Sequence, residues 1–326
     1  MAASGMTRRT QTSVGLLVLS LLLVAPLVVY PVFLMKTLCY ALFACAFNLL
    51  LGQVGLLSFG HAMFFGLAAY ASAHAAKQWG LPPELALVFA TAVAALLGLG
   101  VGLLAIRRQG IYFAMITLGL AQMVYFFCLR AHFTGGEDGL QAVPRGKLFG
   151  FIDLDNAYAM YVFVLAVCVG GYLLVLRTTR SPFGEVLKAI REHEPRAVSL
   201  GYDVASYKLV AFVLSAALSG LAGATKALVF QLASLADVHW STSGEVVLMT
   251  LLGGLGTSLG PFLGALVVAI LETYLSPLGG WVTVIRGSIF VICVLVFRQG
   301  LAGELARLSG RFARSRRPPL ECDGSS

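Results

Sequence analysis

Few side chains in this chain could do chemistry, and their spacing argues against catalysis. The five histidines, His61, His74, His132, His193 and His239, are scattered rather than spaced as metal ligands. No HExxH, GxSxG or phosphate-loop pattern occurs. The six cysteines (Cys39, Cys45, Cys128, Cys168, Cys293 and Cys322) contain no CxxC pair, and five lie in apolar runs. A thiol in such a run behaves as a small buried hydrophobe, so neither disulfides nor metal sites are expected. What remains is hydrogen bonding and ion pairing with a solute or a partner. Gln53, Ser58 and His61 are polar side chains near membrane depth, where they need protein partners or a water-lined cavity. Lys226 is a charge inside the apolar run 209–235, either a functional group or one that snorkels or pairs with Gln231 or Asp237. Glu245 is either interfacial or cavity-facing.

A second kind of chemistry belongs to residues 177–208, RTTRSPFGEVLKAIREHEPRAVSLGYDVASYK. Here Arg177, Arg180, Lys188, Arg191, Arg196 and Lys208 alternate with Glu185, Glu192, Glu194 and Asp203. Ser181-Pro182 marks a helix start, because proline is tolerated in a first turn whose donors are unpaired anyway. Phe183, Val186, Leu187, Ile190, Ala197 and Leu200 recur at three- and four-residue steps, which gives one apolar stripe on a charged helix. Pro195 predicts a bend followed by a second short turn, and Gly201 is placed to end it. Such a helix either lies solvated on a membrane surface or is presented to a partner protein.

The elements that must position these groups follow from composition. Of 326 residues, 59% are apolar and only 12% charged, against about 25% charged in soluble domains. An all-α integral membrane protein is expected. The net charge of +8 gathers beside apolar runs, the positive-inside pattern rather than a nucleic-acid patch. Apolar runs occur at 14–35, 37–51, 61–79, 83–106, 111–129, 157–176, 209–235, 245–255, 261–275 and 281–297. The first is longer than a signal-peptide core and is expected to be retained. Basic clusters lie at the N-terminus, at Arg107-Arg108, in 177–208, and in the tail (Arg298, Arg307, Arg311, Arg314, Arg316, Arg317). Even numbers of runs separate these clusters, so all four can share the cytoplasmic side. About ten transmembrane helices are therefore expected, with both termini cytoplasmic. Residues 1–13 form the cytoplasmic N-terminus, 14–298 the membrane domain, and 299–326 a basic cytoplasmic tail. Within the membrane domain, 177–208 faces the cytoplasm and 130–156 is an external loop. Runs 37–51, 245–255 and 261–275 are short and read as broken or tilted helices. Gly52, Gly55 and Gly60 interrupt one apolar region, and Gly253, Gly254, Gly256 and Gly260 another. No Lys-Ser or Lys-Thr follows the second set, so these glycines break a helix rather than cradle phosphate. Those of the first set either break a helix or let helix backbones approach closely. No inverted repeat is evident.

Three ordered segments then carry a resemblance: GQVGLLSFGHAMFFGLAAY from Gly52, SPFGEVLKAIREHEPRAVSLGYDVASYKLVAFVLSAALSGLAGA from Ser181, and SGEVVLMTLLGGLGTSLGPFLGA from Ser243. Together they look like permeases of branched-chain amino acid ABC importers of the LivM type, over residues 39–297. The resemblance implies a transport subunit of the bacterial plasma (inner) membrane with no ATPase activity and no bound cofactor of its own. A LivH-like permease would pair with it, two cytoplasmic ABC ATPases would supply ATP and Mg, and an external binding protein would deliver leucine, isoleucine or valine. Related permeases for urea or short amides share much of the pattern. Residues 181–201 match the coupling segment of the family, which makes Gly184, Glu185, Lys188, Ala189, Ile190, Arg191 and Glu192 its ATPase-contact candidates. Asn48, Gln53, Ser58, His61, Phe65, Thr117, Gln122, Ser243 and Glu245 are the candidates for the translocation path. Two positions depart from the family pattern: Pro195, where an aliphatic residue is frequent, and Lys226, where an aromatic residue is frequent. An ion-coupled transporter would need an intramembrane carboxylate relay, whereas Glu245 and Glu272 lie near run ends. A membrane scaffold without transport would not need the charged helix.

Overall fold

The computed structural model describes residues 25–275 apart from 28, 149 and 258, together with 284, 285, 287, 288 and 291. Residues 1–13, most of runs 14–35 and 281–297, and the tail 299–326 lie outside this set.

Among the described residues the chain is mostly helical. The helices are α1 (Pro31–Asn48), α2 (His61–Gln78), α3 (Pro83–Ala105), α4 (Ile111–Arg130), α5 (Ala157–Thr179), α6 (Pro182–Ser199), α7 (Val204–Phe230), α8 (Trp240–Gly253) and α9 (Gly260–Leu275). Proline opens α1, α3 and α6, where its missing N–H and fixed φ suit the first turn. Run 37–51 is not a short span. Pro31 starts the helix earlier, and a π-helical turn, Leu49–Val54, continues it to a 24-residue stretch. Lys36 does not interrupt it, because its ammonium pairs with Glu272 of α9 at 3.2 Å. Five stretches are long and apolar enough to cross a membrane: Pro31–Val54, Pro83–Ala105, Ile111–Arg130, Ala157–Thr179 and Val204–Phe230. Gly260–Leu275 is a shorter apolar helix.

Apart from α6, successive helices run in alternate directions, so the connections segregate to two ends. At one end lie residues 49–60, 106–110, 180–203 and 254–259. Gln109 Nε2 donates to Glu194 Oε1 at 2.9 Å, and Asn48 Nδ2 to the Thr257 carbonyl at 3.0 Å, tying these connections together. At the other end, β1 (Leu140–Gln141) pairs antiparallel with β4 (Leu232–Ala233), and β2 (Lys147–Leu148) with β3 (Ile152–Asp153). Lys77 Nζ donates to the Gln141 carbonyl at 2.8 Å, and Arg145 Nη2 to that of Val229 at 2.9 Å.

α1 and α7 form the centre. α1 packs on α5, α7, α8 and α9, and α7 packs also on α2 and α3. The α1 stretch is 83% buried and α4 only 28%, so α4 is peripheral and turns Met115, Met123, Phe126 and Phe127 outward. Small residues set the spacing: Gly223 of α7 lies against the Phe65 backbone of α2, and Gly98 of α3 against Ala216. Without side chains there, backbones approach closely enough for dispersion contact, which holds helices together where lipid offers no hydrophobic drive. The four described cysteines, Cys39, Cys45, Cys128 and Cys168, are buried free thiols.

Candidate functional site

The segment 181–201 folds as its residues demand. Ser181 caps α6, its Oγ accepting from the Gly184 amide at 3.4 Å, and Pro182 follows. Backbone angles leave the helical region at His193 (φ −157°, ψ 87°), where the missing donor of Pro195 releases the turn. The chain then makes a last turn, and Gly201 closes it with φ +84°. Leu187 and Ile190 are buried, Ile190 with Ala197 and Val204. Phe183 stacks on Tyr207 at 5.5 Å. Leu200 does not belong to the apolar face: the bend turns it outward, to 68% exposure.

The contact candidates divide. Glu185, Ala189, Arg191 and Glu192 are exposed and Lys188 is half-buried, Lys188 pairing with Glu185 at 2.8 Å. Gly184 and Ile190 face inward. A Cβ on Gly184 would collide with the Thr178 and Thr179 carbonyls, so this glycine lets α6 fold back under α5. Exposed Asp203 begins α7, its carboxylate accepting from Ser206 Oγ at 2.5 Å and the Ser206 amide at 3.4 Å, which holds its pKa below the usual value.

Beneath α6 the two glycine-rich segments meet. The π turn ends at Gly55 (φ +80°), and its last carbonyls lack helical partners. The Arg191 guanidinium takes one of them, donating from Nη1 to the Gly52 carbonyl. Asn48 bridges to the second segment: its Nδ2 donates to the Thr257 carbonyl, and its Oδ1 accepts from the Gly256 amide, both at 3.0 Å. Gly52 and Gly256 touch backbone to backbone, and a Cβ on Gly52 would sit 2.9 Å from the Gly256 nitrogen. Cys45, Asn48, Gln53, Tyr172, Thr179 and Thr257 line a small cavity beside this junction. Gly253 ends α8, Gly254 takes φ +107°, and Gly260 begins α9, with Gly253 and Gly260 in close contact.

One layer deeper, Ser58, His61, Thr117 and Ser243 are wholly buried. Ser215 Oγ donates to the Ala46 carbonyl at 2.6 Å and therefore accepts from His61 Nε2 at 2.9 Å. That fixes the proton on Nε2 and leaves Nδ1 without a partner among the described residues. Phe47, Phe64 and Phe212 box the imidazole edge-on, with centroids 5.0 to 6.0 Å away. Ser243 Oγ accepts from the Ala62 amide at 2.9 Å, Ser58 Oγ from Gly60 at 3.2 Å, and Thr117 Oγ1 donates within its own helix. Gly60 abuts the Thr117 carbonyl. Phe65 is buried, 4.5 Å from Phe43, and Gln122 and Glu245 are half-buried on α4 and α8. Ser58, Thr117 and Ser243 thus bond to backbone, and His61 to Ser215.

Toward the opposite end, Lys226 pairs with Asp237 and lies over the rings of Tyr40 (5.6 Å) and Phe65 (5.5 Å). Of the two partners within its reach in sequence, Asp237 takes the charge. The sequence singled out Asn48 for the path and Gly256 for a helix break without joining them, and it missed Thr257, Ser215 and Tyr40 as partners. Ser215 had a readable signal, a hydroxyl within a largely apolar run. Among the described residues, no cluster of three or more His, Cys, Asp or Glu could hold a metal ion.

The family described as branched-chain amino acid transport system / permease component matches residues 31–297. The chain is 27% identical to the high-affinity branched-chain amino acid transport system permease protein LivM of Escherichia coli, over 81% of this chain and 68% of that protein. To the probable branched-chain amino acid transport permease protein LivM of Methanocaldococcus jannaschii it is 28% identical, over 58% of this chain and 56% of that one. It is also 29% identical to the ribose import permease protein RbsC of Bacillus subtilis, over 55% and 58% of the two chains. No solved structure matches.

Proposed function

Because the chain belongs to the permease-component family of branched-chain amino acid transport systems, we propose that it is the membrane-spanning permease subunit of an ATP-driven importer for leucine, isoleucine and valine. The observation that carries this reading is the family match over 31–297. The chain crosses the bacterial plasma membrane about ten times, with both termini, α6 and the two glycine turns on the cytoplasmic side. Besides α6, eight described helices alternate between two ends, five of them long and apolar enough to span and one a shorter apolar helix; the remaining two spans are expected from the apolar runs 14–35 and 281–297, which lie mostly outside the described residues.

A LivH-like permease completes the core, and two cytoplasmic ATPases hydrolyse ATP. The outward face of α6, with Glu185, Lys188, Ala189 and Glu192, docks on one of them. ATP binding draws the ATPases together, moves α6, and switches the bundle between inward and outward access, a two-state element biased by nucleotide. An external binding protein supplies most of the selectivity, so a path whose hydroxyls and imidazole are already bonded within the bundle need hold the solute only weakly.

The test is uptake of labelled leucine in cells lacking the gene and in cells with it restored. Unlabelled isoleucine, valine, ribose, fructose, urea and a short amide compete in parallel. Loss on deletion, recovery on restoration, and competition by isoleucine and valine alone are expected. Leucine uptake unchanged by deletion would overturn the substrate assignment, and competition by a sugar, urea or the amide would name its replacement.

A further inference from the structure

We propose that Arg191 and Asn48 form a latch that transmits movement of α6 to both glycine turns, Arg191 working inward on the permease rather than outward on an ATPase. This rests on the reading above, since a coupling helix needs something to couple to.

Arg191 lies on the charged face of α6, yet its stem runs across Gly55, where a Cβ would sit 3.1 Å from its Cγ. Its guanidinium donates to the Gly52 carbonyl. That carbonyl is free because the π turn diverts the local amides: Gly55 and Leu56 both donate to the Leu50 carbonyl, at 3.1 and 3.4 Å. A charged donor on a carbonyl with no helical partner is a strong contact. A Cβ on Gly256 would lie 3.4 Å from the Gly52 carbonyl oxygen and 3.5 Å from Arg191 Nη1, so the second turn closes over the same bond. Asn48 then fixes that turn through its paired hydrogen bonds to Gly256 and Thr257.

Mechanically, α6 is joined to α1 and α2 through 49–60, and to α8 and α9 through 253–260, at one point. A shift of α6 pulls on the Gly52 carbonyl, and the asparagine bridge carries the pull to the second turn. Glycine at 52, 55 and 256 permits this approach, and the positive φ of Gly55 and Gly256 gives both turns a conformation few other residues adopt.

The experiment uses the whole importer, purified with its partner permease and ATPases and reconstituted in liposomes. Leu255→Cys, exposed on the second turn, reports by its rate of maleimide labelling, after subtraction of the background from the chain without it. With ATP plus vanadate, labelling is expected to change at least about threefold relative to the nucleotide-free state. Arg191→Gln and Asn48→Ala should each abolish that response while the ATPases still co-purify and hydrolyse ATP. The double variant should be no worse than either alone, because both act through one device. Asn48→Ala leaves α6 untouched and decides the matter if Arg191→Gln does not accumulate. The latch is overturned if the turn does not respond to nucleotide, if both variants keep the response, or if Arg191→Gln releases the ATPases. Absence of leucine uptake beside an intact nucleotide response would count against the substrate assignment alone.

Discussion

Gly223→Ala adds one methyl group at the tightest crossing of α2 and α7. The new Cβ would lie 2.7 Å from the Phe65 carbonyl carbon and 3.0 Å from its Cα, with the carbonyl oxygen closer still. Carbon atoms in contact prefer about 3.5–4.0 Å, and with the carbonyl oxygen closest of all one helix must move by more than about 1 Å. No rotamer relieves the clash, because every colliding atom is backbone. Overpacking of this kind costs about 1–3 kcal/mol, more than offsetting the roughly 0.5–1 kcal/mol that alanine gains over glycine in a helix. Gly170→Ala supplies the matched comparison: nothing lies within 4 Å of its Cβ, so only the gain remains. The two variants should therefore shift stability in opposite directions. Melting in detergent can be followed with a thiol-reactive dye, since Cys39, Cys45, Cys128 and Cys168 are buried until the bundle opens. Gly223→Ala is expected to melt below the parent and Gly170→Ala at or above it. A Gly223→Ala chain that melts no lower than Gly170→Ala would refute the close approach as the determinant of this interface.

Three further outcomes follow from named contacts. Lys226→Met leaves Asp237, 8% exposed, as an unpaired buried carboxylate; this should cost about 3–5 kcal/mol, and Lys226→Met/Asp237→Leu should regain most of it in the same melt. Ser181→Ala removes the α6 cap and should cost about 1 kcal/mol, seen as faster hydrogen exchange at the Gly184 amide while α7 is unaffected. Asp203 has its pKa lowered by bonds from Ser206, so its contribution to the start of α7 holds above the unfolded value of 3.8 and fades as pH falls through the lower folded value. Ser206→Ala should move that loss to higher pH, measured by exchange of the Ser206 and Tyr207 amides during an acid titration.

Periodicity and composition sufficed for the helices, because each is long compared with the precision of a run boundary. The α6 segment was legible in detail, since cap, proline, stripe and terminal glycine are all local signals. Boundaries failed where a charge found a distant partner: Lys36 looked like the edge of a run, yet Glu272, more than two hundred residues away, keeps it inside α1. Leu200 failed for another reason, because the bend at His193 rotates the face that a straight helix would have presented.

The sequence alone determined that the chain is apolar, helical and built to cross a membrane, and it singled out the charged helix and both glycine-rich segments. These properties are written in residue types at short spacing, and no fold is needed to read them. Only the tertiary structure decided what the polar residues are for. It turned Arg191 inward to Gly52, joined Asn48 to Gly256 and Thr257, and closed His61 among aromatic rings with Ser215. Which partner a polar atom in the bundle finds depends on how helices cross, which local spacing does not encode.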